Sequence, residues 1–230
     1  QPGDFRTSQN WIGGASINDA TFIPPVHNSL AELMSDLEKF AHNEEYYFPD
    51  LLKIALIHYQ FETIHPFLDG NGRVGRLLIT LYLVDKTILK KPILYLSDFF
   101  ERNRQLYYDN LMNVRTKDDL KQWFKFFLVG IIETAKSGIE TFDAVLKLKK
   151  ETEDKIQKTA SRSNHLLNIM EFLYQKPTIN ASKIVDITGV SQATAYKILE
   201  ELIIMKILKE ITGSKRGKVY VFDPYIQLFK

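Results

Sequence analysis

Between residues 65 and 76 the chain reads His65-Pro66-Phe67-Leu68-Asp69-Gly70-Asn71-Gly72-Arg73-Val74-Gly75-Arg76. That stretch brings together an imidazole, a carboxylate, a glycine-rich turn and two guanidinium groups. Gly70 and Gly72 admit backbone conformations closed to other residues. Their amides, with those of a helix beginning near Asn71, can point into one concavity that binds anions. Arg73 and Arg76 are three apart and so share a face of that helix, and arginine binds phosphate through two parallel hydrogen bonds. Asp69 stands just ahead of the turn, where a lone carboxylate suits Mg²⁺, an ion that keeps phosphate and water oxygens as its other ligands. His65, at the entrance, has an ordinary pKa suited to taking a proton from an attacking hydroxyl near neutral pH. Singly, each residue has a plainer use: His65 as a helix cap, Asp69 as a turn residue, the arginines as a solvated helix face. Their conjunction points to chemistry on the phosphates of a nucleotide.

The elements around this loop must position it. Residues 49–64 read as a buried helix, with Leu51, Leu52, Ile54, Ala55, Ile57 and Phe61 covering more than one face. It must stop near His65, because Pro66 disfavours helical geometry in the residue before it. A second helix runs from about Asn71 to Asp85, and others are predicted over 28–43 (capped by Asn28 or Ser29), 98–112 and 117–135. Upstream, Trp11-Ile12-Gly13-Gly14 and Thr21-Phe22-Ile23 read as two short strands of an exposed hairpin that Pro24-Pro25 ends. The string Gly70-x-Gly72-x-x-Gly75 formally matches a dinucleotide fingerprint, but that motif requires a preceding strand in a βαβ unit, and a helix precedes it here. A P-loop lysine motif and the kinase motifs are absent.

Residues 147–158 (KLKKETEDKIQK) read as an exposed charged helical connector. Beyond it, helices over 164–174, Ala181–Ile187 and Ser191–Met205 are followed by strands at Ile207–Ile211 and Lys218–Phe222, the order of a winged helix domain. Residues 161–230 carry a charge of +4 against −2 for residues 1–160, and mild basicity on such a domain fits DNA binding. Ser191, Gln192, Thr194, Tyr196 and Lys197 would begin the recognition helix, and Lys215, Arg216 and Lys218 would sit in the wing. Docking of a protein, a second copy included, uses the same fold equally well. The expected fold class is mainly α: a helical domain with a hairpin over 1–143, a charged helical connector over 144–160, and a small α+β winged helix domain over 161–230.

The 230 residues hold 45% hydrophobic and 25% charged residues with a net charge of +2 and no cysteine. That is the balance of an ordinary globular protein. It leaves no thiol nucleophile, disulfide or cysteine-bound metal, and fits a reducing cytoplasm. No apolar run is long enough to span a bilayer, and the first residues lack a basic, then apolar, secretory pattern. The chain opens Gln1-Pro2-Gly3 without an initiator Met, which suggests a fragment or a processed product.

The twelve-residue string resembles the signature of the Fic-domain family, His-x-Phe-x-Asp/Glu-Gly-Asn-Gly-Arg-x-x-Arg, with every fixed position present. The likeness extends upstream to Pro2-Gly3-x-Phe5-Arg6, Trp11-Ile12-Gly13-Gly14 and Phe22-x-Pro24-Pro25. Downstream it takes in Tyr107-Tyr108, Arg115 and Trp123-x-x-Phe126-Phe127-Leu128, so it covers roughly residues 2–140. It implies a helical Fic fold and transfer of AMP from ATP to a Ser, Thr or Tyr hydroxyl of a target protein, with pyrophosphate leaving. His65 would be the general base and Phe67 would pack inward to hold the loop. Asp69 would bind Mg²⁺, Gly70, Asn71 and Gly72 would cradle phosphates, and Arg73 and Arg76 would hold the β- and γ-phosphate regions. Tyr107 and Tyr108 would border the adenine and ribose. The hairpin, through Ile12, Gly13, Gly14, Thr21 and Phe22, would be a flap that aligns a target segment by strand addition. The family's inhibitory Ser/Thr-x-x-x-Glu-Gly/Asn motif occurs neither upstream of residue 65 nor after the core, so the expectation is a chain without that brake. Other readings stay open: a nucleotide-sensing DNA-binding regulator, a Fic enzyme that moves another phosphate-containing group, and one that removes AMP.

Overall fold

A computed structural model of the protein describes residues 3–45, 47–159, 163–214 and 217–229. The chain divides into two compact units, Gln1–Gly138 and Ile139–Lys230. The described residues are mainly helical, with one small antiparallel sheet.

In the first unit, 3-10 turns at Ile17–Asp19 and His27–Ser29 precede α1 (Leu30–His42), α2 (Asp50–Ile64), α3 (Asn71–Asp85), α4 (Ser97–Arg102), α5 (Arg104–Lys117) and the start of α6 (Leu120–Thr159). The near-continuous apolar surface of α2 makes it the central helix. Ile54, Ala55, Ile57, Phe61 and Ile64 are all buried, and Trp123 and Phe127 of α6 are fully enclosed in the same core. Trp123 donates its indole N–H to the Ala55 carbonyl at 3.0 Å. His58, also enclosed, lies 3.0 Å from the Gly75 carbonyl through Nδ1 and 3.0 Å from the Tyr107 hydroxyl through Nε2. Burial pushes its pKa down to about 4, so the ring is neutral and donates one of these bonds while accepting the other. α2 and α3 meet closely at Gly75, where an added Cβ would fall 2.4 Å from Glu62 Oε1 and 3.1 Å from the Phe61 ring.

Several expectations change. The two strands of the hairpin reduce to one antiparallel bridge, Ile12 to Phe22. Gly13 and Gly14, at φ 73° and 74°, turn the chain away immediately after Ile12 and leave no room for a ladder. Ser29 is the N-cap of α1, but its side chain makes no capping bond; its hydroxyl donates to the Val26 carbonyl at 2.8 Å. The predicted helix over 98–112 is broken at Asn103, whose side chain donates to the Phe99 carbonyl at 2.9 Å and ends α4. The charged stretch over 144–159 is helical and mostly exposed, as read from the sequence. It is the second half of α6, and its Thr152 and Ile156 are buried, Ile156 inside the core of the second unit.

That unit continues with α7 (Ser163–Gln175), β1 (Thr178–Ile179), α8 (Ala181–Thr188), α9 (Gln192–Ile204), β2 (Leu208–Glu210), β3 (Tyr220–Phe222) and α10 (Asp223–Gln227). The strands form a three-stranded antiparallel sheet in the order β1-β3-β2, with Thr178 opposite Val221 and Leu208 opposite Phe222. Asn180 caps α8 by accepting from Lys183 N–H at 2.9 Å, and Gly189, at φ 70°, closes it. β1 and α10 were not predicted: two residues between Pro177 and Asn180 are too few to show an alternating pattern.

Candidate active site

Local chain geometry sets the motif. His65 is the C-cap of α2 in a left-handed conformation, φ 51° and ψ 61°. Its N–H still bonds the Phe61 carbonyl at 2.9 Å, so the ring is swung out of the helix while the backbone stays anchored. The loop folds back on Asn71, which is buried. Its Oδ1 accepts from Phe67 N–H at 2.8 Å and its Nδ2 donates to the Phe67 carbonyl at 2.7 Å. The Asn71 side chain is therefore a clamp on the loop, and only its backbone remains for a ligand. Phe67 packs inward as expected, against Phe61 and Phe5 at ring separations of 6.4 and 5.9 Å.

Gly70, at φ 84°, is the N-cap of α3. Its N–H bonds Asp69 Oδ1 at 2.7 Å, and its carbonyl accepts from Arg73 and Val74. Asn71 and Gly72 then open the helix, where amides have no acceptor within it and the dipole favours an anion. Both arginines lean over this point. Arg73 Nη2 lies 3.3 Å from Asp69 Oδ2, and Arg76 Nε donates to Ser97 Oγ at 3.2 Å. Arg73 and Arg76 line a cleft of about 170 Å³ with Leu77, Tyr95, Leu96 and Ser97. Asp69 borders a separate cleft of about 400 Å³ with Phe5, Phe67 and Val74. Asp69 is highly exposed, with Oδ1 on the Gly70 N–H and Oδ2 beside Arg73, so a cation would have to compete with these contacts. No group of three His, Cys, Asp or Glu among the described residues is placed to hold a metal. One carboxylate next to phosphate oxygens fits Mg²⁺, which binds through few protein groups.

His65 is half-buried, and desolvation lowers its pKa below the ordinary imidazole value. The Glu62 carbonyl opposes that shift without making a full hydrogen bond, and Nδ1 has no close partner among the described residues. Glu62 itself is buried one turn earlier. Burial pushes its carboxyl up to about 7, against the pull of Arg76 and Arg115.

Two arginines brace the loop in ways the sequence did not show. Arg6 is almost wholly buried. It donates to the carbonyls of His65 (3.0 Å), Ser8 (3.0 Å) and Pro25, while its N–H bonds the Pro66 carbonyl at 2.8 Å. Arg115 joins α5 to the end of α2 through Thr63 and the Glu62 carbonyl. Both lie in the stretch that resembles the Fic family, but their roles depend on acceptors more than fifty residues away. The bridge residues Ile12 and Phe22 lie near this bracing. Gly13, Gly14 and Thr21 stand exposed at the turn.

Tyr107 is not at the site surface. It is buried in the aromatic core, stacked 4.7 Å from Phe100, and its hydroxyl is committed to His58. Its hydroxyl pKa is raised well above the ordinary value, chiefly by burial. Tyr108 is exposed beside it, with Arg104 5.9 Å from its ring centre. In the second unit Ser191 Oγ accepts from Thr194 N–H at 3.3 Å and lies 3.0 Å from its hydroxyl, so both residues serve the start of α9. Gln192, Tyr196 and Lys197 are exposed. Lys218 is paired with Glu210 at 2.9 Å. Lys215 and Arg216 lie outside the described residues.

The helical domain thus presents an open helix start with two arginines over it, one loop after the histidine that ends α2. The model of the Fic/DOC family matches residues 1–83. The chain is similar to the protein adenylyltransferase Fic of Aedes aegypti, 31% identical over 125 residues, covering 54% of this chain and 22% of that protein. It is also similar to the protein of the same name in Drosophila melanogaster, 39% identical over 83 residues, covering 36% and 15%. The match thus spans about a fifth or less of these relatives' length. Among solved structures, a Fic family protein from Desulfovibrio desulfuricans G20 shares the fold, with a TM-score of 0.54 at 19% identity, over 96% of this chain and 62% of that one.

Proposed function

We propose that the protein transfers AMP from ATP to a Ser, Thr or Tyr hydroxyl of a target protein. The observation that carries this reading is the open start of α3 with Arg73 and Arg76 over it, preceded by Asp69 and by His65 at the end of α2. The Fic-family match and the adenylyltransferase relatives support it.

His65 takes the proton of the target hydroxyl as its oxygen attacks the α-phosphorus in line. The bond from that phosphorus to the bridging oxygen breaks, and pyrophosphate carries away the electron pair. The amides of Asn71 and Gly72 and the guanidinium groups of Arg73 and Arg76 bind the β- and γ-phosphates and stabilise the charge that builds on them. Asp69 would hold Mg²⁺, which when bound supplies further neutralisation of phosphate charge. The bridged turn at 11–23 serves as the flap, offering Ile12, Gly13, Gly14, Thr21 and Phe22 for strand addition by the target. Tyr108, rather than the buried Tyr107, is the residue available to border the nucleoside.

The second unit is read as a winged helix domain, on the order of its helices and its three-stranded sheet. DNA is its proposed partner, with Gln192, Tyr196 and Lys197 on the exposed start of α9 as contacts. The Glu210 pairing leaves Lys218 a weaker phosphate ligand than its position suggested.

Product analysis tests the enzymatic reading. One pyrophosphate released per AMP linked to protein is the expected stoichiometry. Release of ADP or of inorganic phosphate as the co-product would exclude it.

A further inference from the structure

One antiparallel bridge is too little to hold a chain segment in place, since even a full two-stranded hairpin is marginal in water. The 11–23 turn nevertheless has a defined backbone: Ile12 N–H bonds the Phe22 carbonyl at 2.9 Å, and the Ile12 carbonyl accepts from Thr21 at 2.9 Å and Phe22 at 3.1 Å. Its base is tied down by Arg6 on the Pro25 carbonyl, by Gln9 Nε2 on the Pro24 carbonyl at 2.8 Å and by Asn10 Nδ2 on the Phe67 carbonyl at 3.3 Å. Its bridge residue is held differently. The Arg115 guanidinium carbon lies 3.6 Å from the centre of the Phe22 ring. The same guanidinium reaches Thr63 Oγ1 through Nε at 3.3 Å and Nη2 at 3.2 Å, and the Glu62 carbonyl through Nη2 at 3.4 Å. Thr63 and Glu62 belong to the last turn of α2, which ends on His65.

A planar guanidinium can do both at once, its face on the ring and its edge on oxygen acceptors, whereas an ammonium cannot. Arg115 is half-buried and partly desolvated, a setting in which cation–π contacts strengthen.

We propose that Arg115 is a positioning residue that latches the 11–23 turn, through Phe22, onto the last turn of α2. A target strand paired with the turn then presents its hydroxyl to His65 in one register. The role in transfer rests on the AMP-transfer reading; the latch itself does not. Arg115 touches neither reacting group. It fixes the distance between the surface that would bind the target and the base that would deprotonate it.

The test compares the full chain with Arg115→Lys and Phe22→Leu. The first keeps the charge without the plane, and the second keeps an apolar side chain without the ring. Amide hydrogen exchange at Ile12, Thr21 and Phe22 is expected to rise about tenfold in both variants, from loss of the stacked contact. Exchange within α2 and α3 and the affinity for ATP should be unchanged, while transfer of α-labelled ATP to lysate proteins falls. Unchanged exchange at the three turn amides overturns the latch. A fall in ATP affinity that accounts for all the lost transfer would make Arg115 a nucleotide ligand and also overturns it. If the wild-type chain labels nothing, the AMP-transfer reading fails, and the exchange data alone decide the latch.

Discussion

His65 must be neutral to accept a proton, and its setting favours that state. Desolvation holds its pKa below the ordinary 6.5, so the neutral base survives to lower pH than in a free imidazole. The acid limb of the rate of AMP transfer at low substrate should therefore be centred below pH 6.5. An acid limb centred above 6.5 would mean that another group titrates or that the ring gains an anionic partner. His58 and Glu62 shape stability in opposite senses. His58 is depressed from 6.5 to about 4, so the unfolded chain binds the extra proton and stability is lost as pH falls through that window. Glu62 is raised from 4.5 to about 7, so the folded chain binds the extra proton and stability is lost as pH rises from 4.5 through 7. Replacing Glu62 with Gln should remove the second limb and leave stability rising with pH up to about 6.5. Urea midpoints across pH 4–8 check this, and a descending limb that survives in the variant would show that Glu62 is not its source. At this scale the sequence revealed the candidate groups for chemistry, because their spacing follows the family signature. It did not reveal their bracing. Arg6 and Arg115 act on carbonyls 59 and 53 residues distant, and long-range hydrogen bonds to backbone leave no local pattern.

Among the elements, the contact of α2 with α3 fixes the loop between them. Gly75 permits the approach, with a Cβ at that position 2.4 Å from the buried Glu62 carboxyl. Alanine would gain about 1 kcal/mol in helix propensity, but it would overpack a filled interface at a cost of about 1–3 kcal/mol. Gly75→Ala should therefore lower stability by about 1 kcal/mol and weaken ATP binding through displacement of Arg76; a denaturant midpoint at or above wild type would show that Glu62 moves aside freely. Helices α1, α2 and α3 were legible because their apolar spacing and the break at Pro66 are local signals. The hairpin was overcalled because β-branched and aromatic residues flank glycines whose positive φ ends the ladder after one pair. Within the exposed charged helix the sequence did not mark Thr152 and Ile156 as buried, because charged residues surround them.

For the whole molecule, the proposed nucleotide-phosphate site and a basic helix–sheet unit share one chain. If α9 contacts DNA, the full chain should bind a duplex with an affinity that falls as salt rises. Lys197→Ala should lower that salt slope by about 1, the value for one lost phosphate contact. An affinity independent of salt would turn the second unit toward protein docking. The order of helices and strands there was legible from composition and turn residues; what the unit binds was not, because the same surface serves either partner. The most direct test of the account is to supply Mg²⁺ with ATP labelled at the α- or the γ-phosphate to the wild-type chain and to His65→Ala, and to read label on the protein and on lysate proteins. The account predicts α-label without γ-label in the wild type and none in the variant. Label from the γ-phosphate, or α-label that persists without His65, would contradict it.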